Sequence, residues 1–514
     1  MKTTRRDLLK TAGLGAATMA LAQGAGPSLG EEPGASLLSI DPEPRFDLSP
    51  YLYMQFMEPL GTTDSSVEAA WDHGRDCWRE DVVEVTKELA PPLLRWGGAF
   101  SSYYRWKEAV GPRDRRVPMQ NLVWGGMETN QVGTVEFVDF CRQVGAEPLM
   151  SVNFESDGCK AWMATPKGKV QTAGPDEAAE WVDYCNNPKS AARIAHGLKE
   201  PCPIRLWQIG NETSYHGDGF GVEVAAAKTL AFAKAMRKAD PSIALIGWGD
   251  SGWAKRMIEL TSGQLQYVAF HHMYTPGGDE SPLAGNEYRK DPARTWQCLM
   301  EAWKPHEARI RAMRDLTAGT GVPLALTECH FAVPGPHRNA VLTTWAAGVS
   351  MARLLNVHTR HGDVLKIATA ADFCGTRWTV NAVMIPVPYG EGKAFMMPVA
   401  RVMSLYRAHV GEKALNVKGA PQDLDVTASR RGSRVFLHVV NTHRTRSVEA
   451  RLVVEGMTIR SGEAFEIACE PEFEVWSGVA DAMAPKRRAL PNAGPWTFPP
   501  ASVSALELEV AGPV

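Results

Sequence analysis

The chain has 514 residues, 44% hydrophobic and 22% charged, a composition that excludes a largely disordered protein. Lys and Arg number 55 against 58 Asp and Glu, and a formal charge of −3 gives no electrostatic reason to bind nucleic acid or an anionic membrane. The nine cysteines are scattered without a CxxC pair, which argues against a disulfide framework or a zinc cluster of the usual spacing.

Residues 1–30 read as an address rather than as structure. Thr4-Arg5-Arg6-Asp7-Leu8-Leu9-Lys10 resembles a twin-arginine export signal, and a weakly apolar run follows over 12–22. That run is shorter than the roughly 20 residues a membrane-spanning helix needs. Ala20-Leu21-Ala22 supplies the small residues a signal peptidase accepts. The expectation is an exported protein, periplasmic or extracellular, with no membrane attachment after the signal is removed.

From there short apolar runs alternate with helix-period segments. The predicted strands are 51–57, 93–96, 148–154, 205–210, 244–247, 267–272, 324–327 and 365–371. Between them, 134–144 places Phe137, Val138, Cys141 and Val144 on one stripe, with Glu136, Asp139 and Arg142 pointing away. Segments 222–238, 301–316, 338–355 and 398–410 show the same period. Eight βα units predict a (β/α)8 TIM barrel over 45–411. Past 412 the pattern changes to alternating β-branched runs at 424–429, 434–441, 447–454, 465–468 and 503–510, which predict a C-terminal antiparallel β-sandwich over 412–514.

A barrel does its chemistry at the carboxyl ends of its strands. The fourth predicted strand ends in Asn211-Glu212 and the seventh in Glu328; the first ends near Glu58, the second in Arg95-Trp96, and the sixth in His271-His272-Met273-Tyr274. Two glutamates on separate strands of one mouth suit glycosidic cleavage. One carboxyl protonates the leaving oxygen while the other attacks the anomeric carbon, and a separation of about 5–5.5 Å serves both. Arg95 is a candidate donor to Glu328, Asn211 a candidate contact to the sugar hydroxyl beside the reacting carbon, and His272 and Tyr274 candidates to orient a carboxylate or the sugar. His271 is left out, because neighbours on a strand point to opposite faces.

Blander readings stand beside these. Asn211-Glu212 also suits a helix N-terminus. Glu58 could pair with Arg95 or Arg75, and His272 could be a satisfied core histidine. Trp96, Trp124 and Trp207 fit cleft walls or barrel packing equally. No HExxH, GxSxG or GxGxxG motif points to a metal, a serine nucleophile or a dinucleotide, and retaining hydrolysis needs no cofactor.

The motifs then become specific. Gln55-Phe56-Met57-Glu58-Pro59-Leu60-Gly61, Leu94-Arg95-Trp96-Gly97-Gly98-Ala99-Phe100, the stretch from Trp124 to Gly133, Gly145 to Asn153, Trp207 to Glu212, His272-Met273-Tyr274 and Thr327-Glu328 together resemble glycoside hydrolase family 51 α-L-arabinofuranosidases. The resemblance covers most of 50–410. It implies Glu212 as acid/base, Glu328 as nucleophile, Glu58 as a sugar contact and a carbohydrate substrate. It leaves a homo-oligomer open, since members often assemble through barrel faces. Ala99 stands where the family has Asn, and Cys329-His330-Phe331 replaces a Trp-containing stretch, so the sugar ring, the linkage and exo or endo action stay unspecified. The expected activity is release of α-L-arabinofuranosyl units from plant poly- or oligosaccharides by double displacement. The alternatives are a related retaining glycosidase, such as another furanosidase or an endo-glucanase, and a catalytically silent carbohydrate-binding barrel.

Overall fold

A computed structural model describes residues 36–65, 67–333, 339–388, 390–491 and 494–512. The predicted export signal at 1–30 lies outside the described residues.

Eight strands form one sheet in chain order: β1 Gln55–Met57, β2 Leu93–Trp96, β3 Glu147–Val152, β4 Leu206–Ile209, β5 Ala244–Trp248, β6 Tyr267–Tyr274, β7 Leu324–Phe331 and β8 Leu365–Ala368. Every neighbouring pair is parallel. The Met54 N–H donates to the Ala368 carbonyl at 2.9 Å, so the first strand's approach meets the last strand and the sheet closes into a barrel. The interior is packed by Met54, Leu93, Leu149, Leu206, Ile246, Trp248, Ala269, Ala325 and Ile367.

This inner layer sets the parity of the strands. Side chains alternate, so the residue two positions beyond each inner one also faces inward, one layer nearer the mouth. From Leu93, Leu206, Ala269 and Ala325 the count arrives at Arg95, Gln208, His271 and Thr327.

The helices form for the reasons their sequences give. Thr134–Val144 buries Phe137, Val138, Cys141 and Val144 against the sheet. Glu136 Oε2 accepts the Gly133 N–H at 2.9 Å to cap its start, and Gly145 at φ 76° ends it in the left-handed region that favours glycine. Truncating a buried phenylalanine such as Phe137 to Ala costs about 3–5 kcal/mol. The predicted helix 338–355 is observed as Trp345–Arg360, with Thr344 accepting the Ala347 N–H as its cap.

The second module is a nine-stranded sheet with its own core of Leu38, Ile40, Val435, Leu437, Val439, Phe498, Leu506 and Leu508 among others. Its strands include Lys413–Lys418, Leu424–Arg431, Arg434–Asn441, Val448–Val454, Thr458–Ala468 and Ser502–Ala511. Ser36–Asp47 also belongs to this sheet. It pairs antiparallel with Lys413–Lys418 and parallel with Val448–Val454, so a segment ahead of the barrel completes the module behind it.

Candidate active site

Arg95 organises the mouth. It is fully buried on β2 and makes three donor contacts: Nε to Gln208 Oε1 at 2.9 Å, Nη1 to Glu328 Oε1 at 2.9 Å, and Nη2 to Asn211 Oδ1 at 2.6 Å. One guanidinium thereby fixes β2, β4 and β7 relative to each other, in a fork geometry a lysine could not supply. The Gly97-Gly98 pair that follows is required by space. A Cβ on Gly97 would lie 2.8 Å from the Arg95 guanidinium carbon, and one on Gly98 would lie 2.2 Å from the Glu58 carboxyl.

Glu212 and Glu328 face one another. Together with His271 they each place one potential ligand atom within 4.8 Å of the other two. His271 Nδ1 lies 3.0 Å from Glu212 Oε1 and 3.6 Å from Glu328 Oε2, while its Nε2 meets Thr327 Oγ1 at 3.0 Å. Glu328 faces inward because β7 shifts register against β6: Phe270 pairs with Leu326 but His271 pairs with Glu328, so Thr327 and Glu328 both come to the inner face.

The environments differ. Burial pushes the Glu212 carboxyl up to about 7, with Arg95 pulling against it and Asp250 adding to it. Burial also raises Glu328, opposed by His271 and the Arg95 guanidinium. Glu328 holds the direct bond to arginine, so it is the member of the pair that stays ionised, and Glu212 is the one that keeps a proton near neutral pH. Burial holds His271 down at about 4, so the imidazole between them is neutral. Glu58 accepts from Trp124 Nε1 at 2.9 Å and is raised well above the ordinary range, first by burial and then by the Glu328 charge.

Of the residues expected from sequence, the structure brings Glu58, Arg95, Asn211, Glu212 and Glu328 together. His272 and Tyr274 lie elsewhere, and His271 takes the position expected of them. The strand alternates as expected, but from the opposite starting face. With Ala269 inside, His272 and Tyr274 point outward, where their rings stack at 4.2 Å and Tyr274 Oη donates to the Ala302 carbonyl at 2.8 Å. The signal that could have found this is Ala269 itself, a small residue of the crowded inner layer, two positions before His271. Trp96 and Trp207 are packing residues, 1% and 0% exposed, whereas Trp124 reaches the site through Glu58. Trp378 and His330 were not singled out by sequence; their rings lie 5.7 Å apart, and Trp378 packs on Trp124 at the same distance.

Among the described residues, two groups have the residue types of a metal site. The first is Glu212, His271 and Glu328 themselves. The second is His272, His306 and Cys329. In the second, the His272 and His306 Nδ1 atoms are 3.0 Å apart with ring centroids 5.3 Å apart and planes within 20°. Those values put the two nitrogens head to head along one line, the geometry of an N–H···N hydrogen bond. Two bonds of about 2.0 Å to a shared ion do not fit in that line.

Fold and site together define a (β/α)8 barrel of the glycoside hydrolase type, with paired carboxyls at its mouth. Residues 85–290 match the family model described as alpha-L-arabinofuranosidase 1 domain. The chain is 34% identical over 286 residues to probable alpha-L-arabinofuranosidase C of Aspergillus terreus, covering 49% of this chain and 53% of the relative. It is 33% identical over 250 residues to the intracellular exo-alpha-(1->5)-L-arabinofuranosidase of Halalkalibacterium halodurans, covering 45% and 46%. The chain thus spans about half the length of the curated relatives it matches. Among solved structures, the alpha-L-arabinofuranosidase of Thermotoga maritima in its arabinose complex superposes with a TM-score of 0.75 at 23% identity, covering 92% of this chain and 100% of that one. The family 44 xyloglucanase of Paenibacillus polymyxa superposes at 0.60 with 14% identity, over 92% and 99%, which speaks to the fold alone. Over the matched region the chain is similar to alpha-L-arabinofuranosidases, and over most of its length it shares the fold of the Thermotoga maritima enzyme. The family-model match spans Arg95 and Glu212 and stops before Glu328.

Proposed function

We propose that the protein is a retaining glycoside hydrolase that releases α-L-arabinofuranosyl residues from plant poly- or oligosaccharides. The observation that carries this reading is the pair Glu212 and Glu328, with carboxylate oxygens within 4.8 Å of each other. That approach favours direct attack, the arrangement of retaining enzymes, over the wider carboxyl spacing of about 6.5–9.5 Å in inverting ones. Glu328 Oε1 is held by Arg95, which leaves Oε2 to attack the anomeric carbon. Glu212, kept protonated by its burial, gives its proton to the leaving oxygen. Once the glycosyl ester has formed, Glu328 no longer carries charge. Glu212 is then the carboxylate that takes a proton from water, and attack of that water on the anomeric carbon restores Glu328 and frees the sugar with its configuration retained.

The sugar is argued from the arabinofuranosidase names of the relatives and the matched domain. Ala99 favours a second reading, a retaining glycosidase of other specificity, because it offers no polar side chain where the family resemblance expects an amide. Export is part of the proposal on the strength of the twin-arginine-like stretch from Thr4 to Lys10, although the Halalkalibacterium relative is named intracellular.

A panel of nitrophenyl glycosides tests both readings, with proton NMR of the first-formed anomer on the substrate that turns over. Turnover of the α-L-arabinofuranoside with retention is expected, with Glu212→Gln and Glu328→Ala each down at least about 100-fold. Full activity in either variant, or an inverted first product, removes the assignment.

A further inference from the structure

The loop that follows β3 is conformationally unusual. Glu155, Ser156 and Asp157 have φ of 49°, 57° and 51°, and Gly158 follows at 77°. Three successive non-glycine residues in the left-handed region are held there only where the surroundings over-determine them. Asn153 Oδ1 accepts the Ser156 N–H at 3.0 Å, and Glu155 pairs with Lys228 on the helix Val222–Ala239 at 2.6 Å. A Cβ on Gly158 would lie 2.8 Å from the Phe220 backbone nitrogen, so the turn fits closely under the next loop.

The outcome of this contorted turn is the placing of one carboxyl. Asp157 is completely buried, and each of its oxygens is in use. Oδ1 accepts the Asn211 N–H at 3.0 Å and the Thr213 hydroxyl at 2.5 Å; Oδ2 accepts the Ser102 hydroxyl at 2.6 Å. Asn211 and Thr213 are the neighbours on either side of Glu212. Glu212 itself sits at φ 55°, ψ 27°, a backbone conformation it would not hold unaided. Gly210 completes the knot: a Cβ there would lie 2.7 Å from Thr213 Oγ1 and 2.9 Å from Asp157 Oδ1.

We propose that Asp157 is a positioning residue for the proton donor, a buried strut from the β3 loop that clamps both sides of Glu212 and aims its carboxyl at the leaving oxygen. The inference rests on the reading of Glu212 as acid/base. What it adds is that aim comes from a second loop through a single carboxyl that touches no substrate. Burial pushes the Asp157 carboxyl up to about 7, so accepting geometry rather than full charge is what it contributes, and asparagine can reproduce that geometry with Ser102 as acceptor.

A misaimed acid hurts only those substrates whose leaving group must be protonated. The test therefore compares kcat/KM on two arabinofuranosides: a 2,4-dinitrophenyl glycoside, whose leaving group departs as the anion, and an arabino-oligosaccharide, whose leaving group does not. Rates are normalised to active sites counted by the burst of dinitrophenol, so that misfolded protein does not enter. Asp157→Ala is expected to lose about 30-fold or more on the oligosaccharide and less than about 3-fold on the dinitrophenyl glycoside, within the roughly 100- to 10,000-fold range of general acid catalysis. Asp157→Asn recovers most of that loss. Thr213→Val, which removes one side of the clamp with little change of shape, loses about 3- to 10-fold on the oligosaccharide alone and decides the matter if Asp157→Ala does not fold. Equal losses on both substrates, or none on either, overturn the proposal. Failure of the underlying reading looks different: Glu212→Gln would then show no preference between the two leaving groups.

Discussion

Two carboxyls that share a desolvated mouth resist ionising together, and the protein resolves this with a single cation placed on one of them. Arg95 bonds Glu328 directly and reaches Glu212 only through space. On the proposed mechanism, the split in proton affinity that double displacement needs depends on a residue that takes no part in bond making. Replacing it as Arg95→Met leaves Glu328 buried beside the neutral His271, with the Glu212 and Glu58 carboxyls close by. The sign is fixed: the guanidinium lowers the Glu328 pKa, so removing it raises that pKa, and the nucleophile ionises only at higher pH. The acid limb of kcat/KM against pH, which reports this ionisation in the free enzyme, is expected to move up by about 1–3 pH units, with a fall of at least about 100-fold at pH 6. An acid limb left in place would show that Arg95 serves the fold alone.

At the level of single elements, β6 shows how a correct rule yields a wrong residue. Its residues His271 and His272 are chemically identical, and the strand's apolar residues fall on both faces, since a barrel strand packs against the interior on one side and helices on the other. Period-2 reasoning then has no fixed starting point. The barrel strands themselves were legible because buried parallel strands read as short apolar runs, and β2 is observed at the predicted 93–96. The proposed catalytic pair, Glu212 and Glu328, was legible because its carboxyls stand at strand ends. Arg95's triple contact depends on three strands brought together, and the Thr327-Glu328 register shift appears only in pairing with β6; neither is local in sequence. The parity makes a prediction. His271→Ala removes the partner of the buried Glu212 carboxyl, and leaving a buried polar group unsatisfied costs about 1–3 kcal/mol, so kcat/KM falls roughly 5- to 100-fold. His272→Ala breaks the pair with His306 on the outer face, lowering the thermal midpoint while kcat/KM per active site stays within about 3-fold. Kinetics and thermal melts of both variants check this, and the reverse order would restore His272 to the mouth.

Across the whole molecule the two modules are tied by chain path and by a buried charge cluster. The first described strand, Ser36–Asp47, lies within the second module with Leu38 and Ile40 fully buried, and the described chain returns to that sheet at Lys413–Lys418. Local pattern could not announce that pairing, because Pro42, Pro44 and the charges of Ser36–Asp47 resemble a linker and its partners lie more than 350 residues away. The charge cluster centres on Asp425 of the strand Leu424–Arg431. It accepts from Arg353 Nε at 3.0 Å, Arg360 Nη1 at 2.7 Å and Asn356 Nδ2 at 3.1 Å, all on the barrel helix Trp345–Arg360. Burial alone would raise this carboxyl, but the two guanidinium groups outweigh it and hold it below its ordinary 3.8. Removing one partner of a buried charge pair costs about 3–5 kcal/mol. Asp425→Ala is therefore expected to lower the thermal midpoint at pH 7 and, since the cluster joins helix to sheet, to separate the melting of the two modules in calorimetry. The pH dependence has a definite sign. A depressed carboxyl stabilises the fold above its unfolded pKa, and that contribution disappears as pH falls through the folded value. The gap between wild type and variant should accordingly stay constant from pH 7 down to about 5 and close below about 4. A gap that persists into acid would place the stabilisation in packing rather than in charge, and a single undivided transition in the variant would show that the chain crossings alone suffice to couple barrel and sheet.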